Sequence, residues 1–553
     1  MRYLLSLPVV GLAAVLSGCG GGSAQTTTTD VPLTYSIGGS IAGLSGTVVL
    51  QNNGGDSLTL SSDGPFAFDV TLQPNAAYDV TVATQPANQV CSVSNGRGTA
   101  SASVTNVTVA CGLSSTATDV WTWVAGSDYV NAPGVYGTEG TAAANNTPGA
   151  RRQPITWTDP AGNFWLFGGD SVGNVGTLND LWEYGPAAGH WVWQGGSDTV
   201  GAAASYGSQG APAATNNPGA REGAATWTDA AGNLWLFGGD SLAGQNWEEF
   251  NDLWTYNPST GLWTWVGGSK TAANSGIYGT LGVPAAGNLP PARTDAIRWV
   301  DSAGVFWLFG GARLDSNGSY HAVLNDLWSY DPTTGLWTWI GGSNTPNAAG
   351  VYGTQGTAAV SNVPRARMGG SAWVDTNGNV WLFGGLGLAQ SGLAQEYNDL
   401  WEYSPASGQW TWIGGSDGAN AAGVYGTQRA GAAGNGPGAR VSAVSWRDSS
   451  GNFWLFGGYG YDQVSSIGNL NDLWEYNLGA GVWTWIDGSL STATPGIYGT
   501  QGVPAISNAP GARQQAVGWL DSSGNFWLFG GFGFDSSDVE DDLNDLWRFS
   551  QSP

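Results

Sequence analysis

The chain has 553 residues, more than one small domain needs, so several domains or a long repeat array are expected. It carries 89 glycines and 31 tryptophans but only 10% charged residues, which suits short strands and tight turns and excludes an architecture of long helices. Its 16 basic residues against 41 acidic ones leave a net charge of −25, so the cationic footprint that nucleic acid or an anionic membrane surface requires is missing.

The chain opens MRYLLSLPVVGLAAVLSGC. Arg2 is a minimal positive n-region, and Leu4 to Leu16 form an apolar stretch too short to span a bilayer, so residues 1–19 read as a signal peptide. Leu16-Ser17-Gly18-Cys19 resembles the lipobox of bacterial lipoproteins, in which the cysteine thiol takes the lipid. An ordinary secretory signal with an incidental cysteine is the alternative. Residues 20–31, with Gly20 to Gly22 and Thr26 to Thr29, read as a flexible tether. By that resemblance, Gly20 after the cysteine implies the outer membrane, so the chain is expected to be exported and lipid-anchored in the cell envelope. Cys91 and Cys111 then form an even pair in an oxidising compartment, where a disulfide is the natural expectation. It would close a loop of roughly 20 residues and contribute on the order of 3 kcal/mol.

Residues 32–112 alternate apolar and polar, as at Tyr35-Ser-Ile37, Phe66-Ala-Phe68 and Tyr78-Asp-Val80, with turn clusters such as Asn52 to Asp56 between. Such period-two patterning predicts a small antiparallel β-sandwich. It looks like the immunoglobulin-like or carboxypeptidase-regulatory-like modules of bacterial surface proteins, where it would serve as a spacer. Residues 113–119 read as the linker out of it.

From residue 120 onward the sequence repeats itself. Trp-Leu-Phe-Gly-Gly starts at Trp165, Trp235, Trp307, Trp381, Trp454 and Trp527, and Asn-Asp-Leu-Trp ends at Trp182, Trp254, Trp328, Trp401, Trp474 and Trp547. A Trp-x-Trp pair starts at Trp121, Trp191, Trp263, Trp337, Trp410 and Trp483. An arginine recurs at Arg151, Arg221, Arg293, Arg367, Arg440 and Arg513. These strings resemble the kelch motif, whose first strand opens on Arg, whose second closes on Gly-Gly, and whose third and fourth carry an aromatic pair. The resemblance covers residues 121–549 and implies a six-bladed kelch-type β-propeller over residues 120–553, like the central domain of galactose oxidase, behind the small sandwich. The fold class expected is therefore all-β.

Each Arg precedes the Trp of Trp-Leu-Phe by 14 residues, and each Asn-Asp-Leu-Trp precedes the next Trp-x-Trp by 9. From Trp-x-Trp to the next Arg is always 30, whereas the stretch between Gly-Gly and Asn-Asp varies as 9, 11, 13, 12, 12 and 12. In an antiparallel meander the tight turns share one face, and the long crossovers share the other with the variable loops. A fixed-length crossover is read as structural; a variable loop is where recognition usually sits. Because Trp-x-Trp occurs once before the first Trp-Leu-Phe, the strand around Trp121 is expected to complete the last blade.

Five tryptophans per repeat account for 30 of the 31 and read as core; Trp247 is the exception. With Phe250, Tyr320, His321, Tyr397, Tyr459, Tyr461, Phe532 and Phe534 it forms the candidate ligand-binding set, local loop packing being the alternative for each. The six repeated arginines read as structural, pairing with the aspartates of Asn-Asp-Leu-Trp. The alternative is an anion site near the axis, as in sialic-acid-handling kelch propellers. Off-pattern Arg298, Arg313, Arg365 and Arg429 are the better ligand candidates. Asp535, Asp538, Glu540 and Asp542 could hold calcium, although their spacing departs from an EF-hand and suits a solvated loop.

No catalytic constellation is visible. His190 and His321 are the only histidines, and the propeller region has no cysteine, so the copper site of galactose oxidase cannot be built. No cofactor is expected. The function expected is a monomeric binding module for an extracellular or periplasmic protein or glycan, with no enzyme activity. The alternative is a metal-free carbohydrate-active enzyme resembling a sialic-acid mutarotase, which would need an arginine and a carboxylate converging at the axis.

Overall fold

The computed structural model describes residues 33–551 apart from 45, 87–88, 114–118, 172–175, 244–245, 316 and 390. The expected signal peptide, Cys19, the tether and most of the linker lie outside the described residues. Every element among the described residues is a β-strand. The chain divides into two compact units, Met1–Ala117 and Thr118–Pro553.

The first unit holds two four-stranded sheets. One is ordered Gly64–Ala67, Ile37–Ala42, Val104–Leu113 and Gln89–Ser94; the other Asp56–Leu60, Val48–Asn52, Ala77–Thr84 and Arg97–Thr99. Alternate residues such as Val48 and Leu50 of one sheet, and Ile37, Ile41 and Val109 of the other, meet in a single core. The predicted all-antiparallel pairing is corrected at one place, because Ile37–Ala42 runs parallel to Val104–Leu113. The second sheet is built from chain lying between these two strands, and a parallel pair needs such a long connection. Cys91 and Cys111 are direct cross-strand partners and form a disulfide.

In the second unit the described residues form six sheets of the repeated kind. The first contains Ile155–Thr158, Phe164–Ser171, Gly176–Gly185 and His190–Gly195, antiparallel throughout, with Trp157 opposite Trp165 and Leu166 opposite Trp182. Its register shifts at the Gly-Gly pair. Gly168 has φ 62°, and a Cβ there would lie 2.4 Å from the Arg221 carbonyl oxygen of the next sheet. The doublet is therefore glycine because it combines a left-handed backbone with close approach of another chain segment. Large rings fill the space between neighbouring sheets: Trp227 stacks on Phe306 at 5.2 Å, Trp373 on Phe453 at 5.0 Å and Trp446 on Phe526 at 5.0 Å.

The sheets close on themselves in two ways. Val120–Ala125 pairs with Glu540–Ser550, setting Trp123 opposite Trp547 and Trp121 opposite Phe549. At the axis, the second residue after each repeat arginine donates its N–H to the carbonyl of its counterpart in the preceding sheet. The series runs Gly223 to Gln153, Asp295 to Gly223, Gly369 to Asp295, Ser442 to Gly369, Gln515 to Ser442, and Gln153 back to Gln515. Radial sheets closed by pairing the first strand of the unit with its last are the arrangement of a β-propeller.

The repeat arginines hold the crossovers. Arg151 donates through Nη1 and Nη2 to Asp180 at 2.7 and 2.8 Å, with neither side chain exposed. Arg221–Asp252, Arg293–Asp326, Arg367–Asp399, Arg440–Asp472 and Arg513–Asp545 repeat the pair. Each aspartate also accepts a tyrosine hydroxyl from a crossover: Tyr136, Tyr206, Tyr278, Tyr352, Tyr425 and Tyr498 in turn. A crossover of fixed length is what delivers that tyrosine to a buried charge. The stretches read from sequence as variable loops are largely extensions of the two central strands, as in Phe306–Leu314 and Tyr320–Asp331. Edge backbone groups are satisfied there by pairing rather than by water.

Candidate functional site: the axial mouth

At the loop-rich end, the residue after each repeat arginine pairs with the residue after Gly-Gly. Around the axis these pairs are Arg152 with Asp170, Glu222 with Asp240, Thr294 with Ala312, Met368 with Leu386, Val441 with Tyr459 and Gln514 with Phe532. The backbone repeats, but the chemistry does not. Charge is concentrated in the first two sheets, and the fourth pair is apolar.

A cavity of about 250 Å³ opens here, lined by Arg152, Glu222, Asp240, Trp247, Tyr320 and Gln514 among others. Trp247 arrives on its own short hairpin, Asp240–Ala243 with Asn246–Glu249, a separate two-stranded sheet inserted between the two central strands of the second repeat. Its indole lies against Gly318 of the neighbouring hairpin, where a Cβ would come within 2.3 Å of Nε1. Glu249 fixes the two hairpins together by accepting the Leu314 N–H and facing Arg313 at 3.7 Å.

The electrostatics of the mouth favour protonated acids. Arg152 is paired with Asp170 at 2.6 Å. Glu222 and Asp240 are both buried, and no arginine is paired with either among the described residues. Burial first, and then the neighbouring carboxylates, push both of these carboxyls well above the usual range. Asp295, in the ring below, is pushed up to about 6 by burial despite accepting both contacts of the Gln153 amide at 2.8 Å. Below the ring a second cavity of about 450 Å³ runs between the inner strands and contains Arg298. Arg298 Nε donates to Thr226 Oγ1 at 2.7 Å, and the side chain is open to this lumen.

Glu249 offers a check on this picture. Burial raises its carboxyl from 4.5 to about 7. The folded protein then holds a proton that the unfolded chain has released, so stability should fall as pH rises from about 4.5 to about 7. Glu249→Gln should flatten that part of the profile, read as urea midpoints across the window; parallel profiles for the two proteins would contradict the assignment.

Of the candidate ligand-binding aromatics, Trp247 and Tyr320 line the mouth cavity, and His321 is exposed one residue further along the strand. Phe532 is half-buried under the Arg152 guanidinium at 5.5 Å, and Tyr459 is half-buried opposite Val441. Phe250 packs on Arg221 at 4.5 Å, and Tyr397 is buried against Arg367 at 4.9 Å. Tyr461 and Phe534 are half-buried at strand ends whose N–H groups bond to Ala439 and Ala512. Arg365 and Arg429 stand away from the mouth, over Tyr352 and against Asp119.

The calcium candidate residues make other contacts in the structure. Asp535 Oδ1 accepts the Ser537 and Val539 N–H groups at 2.7 and 3.0 Å, and Glu540 accepts the Asn469 amide at 2.8 Å. Asp535 thus closes its own hairpin while Glu540 ties to the preceding sheet, and no group of three or more His, Cys, Asp or Glu residues placed to hold a metal occurs among the described residues. Arg152, Glu222, Asp170, Asp240 and Asp295 are the candidate-site residues that the sequence reading missed. The available signal is departure from the repeat at three fixed offsets: one and two residues after each repeat arginine, and one residue after Gly-Gly.

Fold and site together define a β-propeller with an aromatic-walled, carboxylate-rich cavity on its axis. No family model matches the chain. No curated protein matches it. Among solved structures it is similar to one titled "Structure of YjhT", at 15% identity and a TM-score of 0.42, covering 72% of this chain and 95% of that one.

Proposed function

We propose that this chain is a six-bladed kelch-type propeller that binds a glycan at its axial mouth. A lipid on Cys19 would hold it in the cell envelope, and the small sandwich would act as spacer. The observation that carries the reading is the convergence of Trp247 and Tyr320 with Arg152, Glu222 and Asp240 around one cavity of about 250 Å³. A site of that kind, part aromatic wall and part fixed polar groups, matches a sugar ring, which presents a C–H face and a rim of hydroxyls. The closed ring of six axial backbone hydrogen bonds supports the blade count and makes the rim rigid. A protein partner finds less support, because the aromatics stand in a concavity and not on an open face.

The test is glycan-array binding followed by calorimetry with Trp247→Ala. Loss of the indole is expected to weaken binding about five- to thirtyfold, since an aromatic wall contributes on the order of 1–2 kcal/mol. Equal affinity for the two proteins would sink the reading.

A metal-free carbohydrate enzyme is the second reading, favoured by one observation. Glu222 and Asp240 form a buried carboxyl pair beside Arg152, and burial raises both pKa values in the direction that general acid–base work needs. Anomer interconversion that is followed by NMR and lost in Glu222→Gln would favour this reading over simple binding.

A further inference from the structure

The charges at the mouth do not balance, and the imbalance has a sign. Arg152 is the one arginine lining the cavity among the described residues, and Asp170 already neutralises it at 2.6 Å. Glu222 and Asp240 stand directly opposite each other across the strand pair, only 4% and 3% exposed. Within the described residues Glu222 Oε2 is buried without a hydrogen-bond partner. An isolated buried carboxylate is costly, and fold stability alone favours an amide or an apolar residue there. Met368 and Leu386 occupy the equivalent pair in the fourth sheet, so the backbone accepts an apolar solution.

We propose that the axial mouth is selective for a monosaccharide-sized ligand bearing a primary ammonium, an amino sugar, whose charge is met by the Glu222–Asp240 pair while its ring lies against Trp247 and Tyr320. This rests on the reading of the mouth as a glycan site and adds the charge of the ligand. The cavity of about 250 Å³ admits one such ring. A negatively charged sugar would meet Glu222 and Asp240 in the cavity wall against a single Arg152 that Asp170 already pairs, and is disfavoured. Glu222 and Asp240 face each other in the cavity wall, where burial and the neighbouring carboxylates favour their protonated forms, so an arriving ammonium is expected to displace a proton to solvent.

The experiment is calorimetry of the whole protein with glucosamine, N-acetylglucosamine and glucuronate, in two buffers of different ionisation enthalpy. Glucosamine is expected to bind at least tenfold tighter than N-acetylglucosamine, with buffer-dependent heat reporting the released proton. Glu222→Gln, which keeps shape and removes charge, should bring the two sugars to equal affinity and abolish the buffer dependence. Equal affinities in the unmodified protein, or preference for glucuronate, overturn the charge assignment and leave the mouth as a glycan site. No binding of any of the three sugars overturns both.

Discussion

Replacing Asp472 by alanine is expected to cost the propeller about 3–5 kcal/mol, the range for breaking a buried ion pair from one side. Asp472 is fully buried, and its two oxygens serve four donors. Oδ1 accepts Arg440 Nη1 at 2.7 Å; Oδ2 accepts Arg440 Nη2 at 2.8 Å, the Tyr425 hydroxyl at 2.6 Å and Trp474 Nε1 at 2.7 Å. Removing the carboxylate leaves Arg440 charged, buried and bonded only to the Gly438 and Gly457 carbonyls. Tyr425 and Trp474 lose an acceptor at the same stroke. The guanidinium cannot shed its proton to escape, so the penalty falls on the fold. Tyr425→Phe should cost less, about 1.5–3 kcal/mol, because it removes one bond to a charged group and leaves the pair intact. Guanidinium unfolding followed by tryptophan fluorescence measures both variants. A loss below about 1 kcal/mol for Asp472→Ala would mean that the pair is solvated in the folded protein. The same change at Asp180 or Asp326 should give a similar loss, since those carboxylates hold the same partners.

The Arg–Asp–Tyr cluster also marks how far the sequence could be read. Four strings at fixed offsets state that there are repeated antiparallel units, because spacing of 14 and 9 residues leaves room only for strand, turn and strand. The arginine–aspartate pairing follows from charge alone, since few other cations are offered to those aspartates. The tyrosine was harder to see. It is 47 residues from its aspartate in the Tyr425–Asp472 case, and a hydroxyl-to-carboxylate contact leaves no local periodicity. The mouth was less legible still. Trp247 stood out because it broke a count, whereas Glu222 follows a repeat arginine as an ordinary polar residue. Its meaning comes from facing Asp240 across a bridge and from lying on the axis with no cation paired to it, and register and closure settle both. Tyr397 shows the opposite failure. A ring in a variable segment reads as exposed, yet strand extension turns it inward onto Arg367, where it is 2% exposed.

Closure of the ring makes the second large prediction, for a protein lacking residues 119–126. This segment supplies Val120–Ala125, which pairs with Glu540–Ser550 from the far end of the chain. Trp121 is 2% exposed and meets Phe456, Phe549 and Trp547 at 5.3, 5.1 and 6.4 Å. Its carbonyl accepts the Asn508 amide at 3.2 Å, and the Trp123 carbonyl accepts the Gly502 N–H at 2.7 Å, so the sixth crossover also docks on it. Trp121→Ala alone should cost about 3–5 kcal/mol. Deleting the strand removes that packing, the Trp123 contacts and a full row of ladder hydrogen bonds, a sum that reaches the whole 5–15 kcal/mol of a typical domain. It also exposes Glu540–Ser550 as an unpaired edge, a template for association between chains. The expected result is loss of the cooperative unfolding transition of residues 120–553, with concentration-dependent association, while the two sheets of residues 33–113, one of which carries the Cys91–Cys111 disulfide, keep their own transition. A truncated protein that unfolds at the midpoint of the intact one would refute closure by this strand. Because the mouth is a ring in which Gln153 bonds back to Gln515, an open propeller must also lose its axial cavity. Sugar binding and the unfolding midpoint should therefore fall together in the deletion, whereas Trp247→Ala should weaken binding alone.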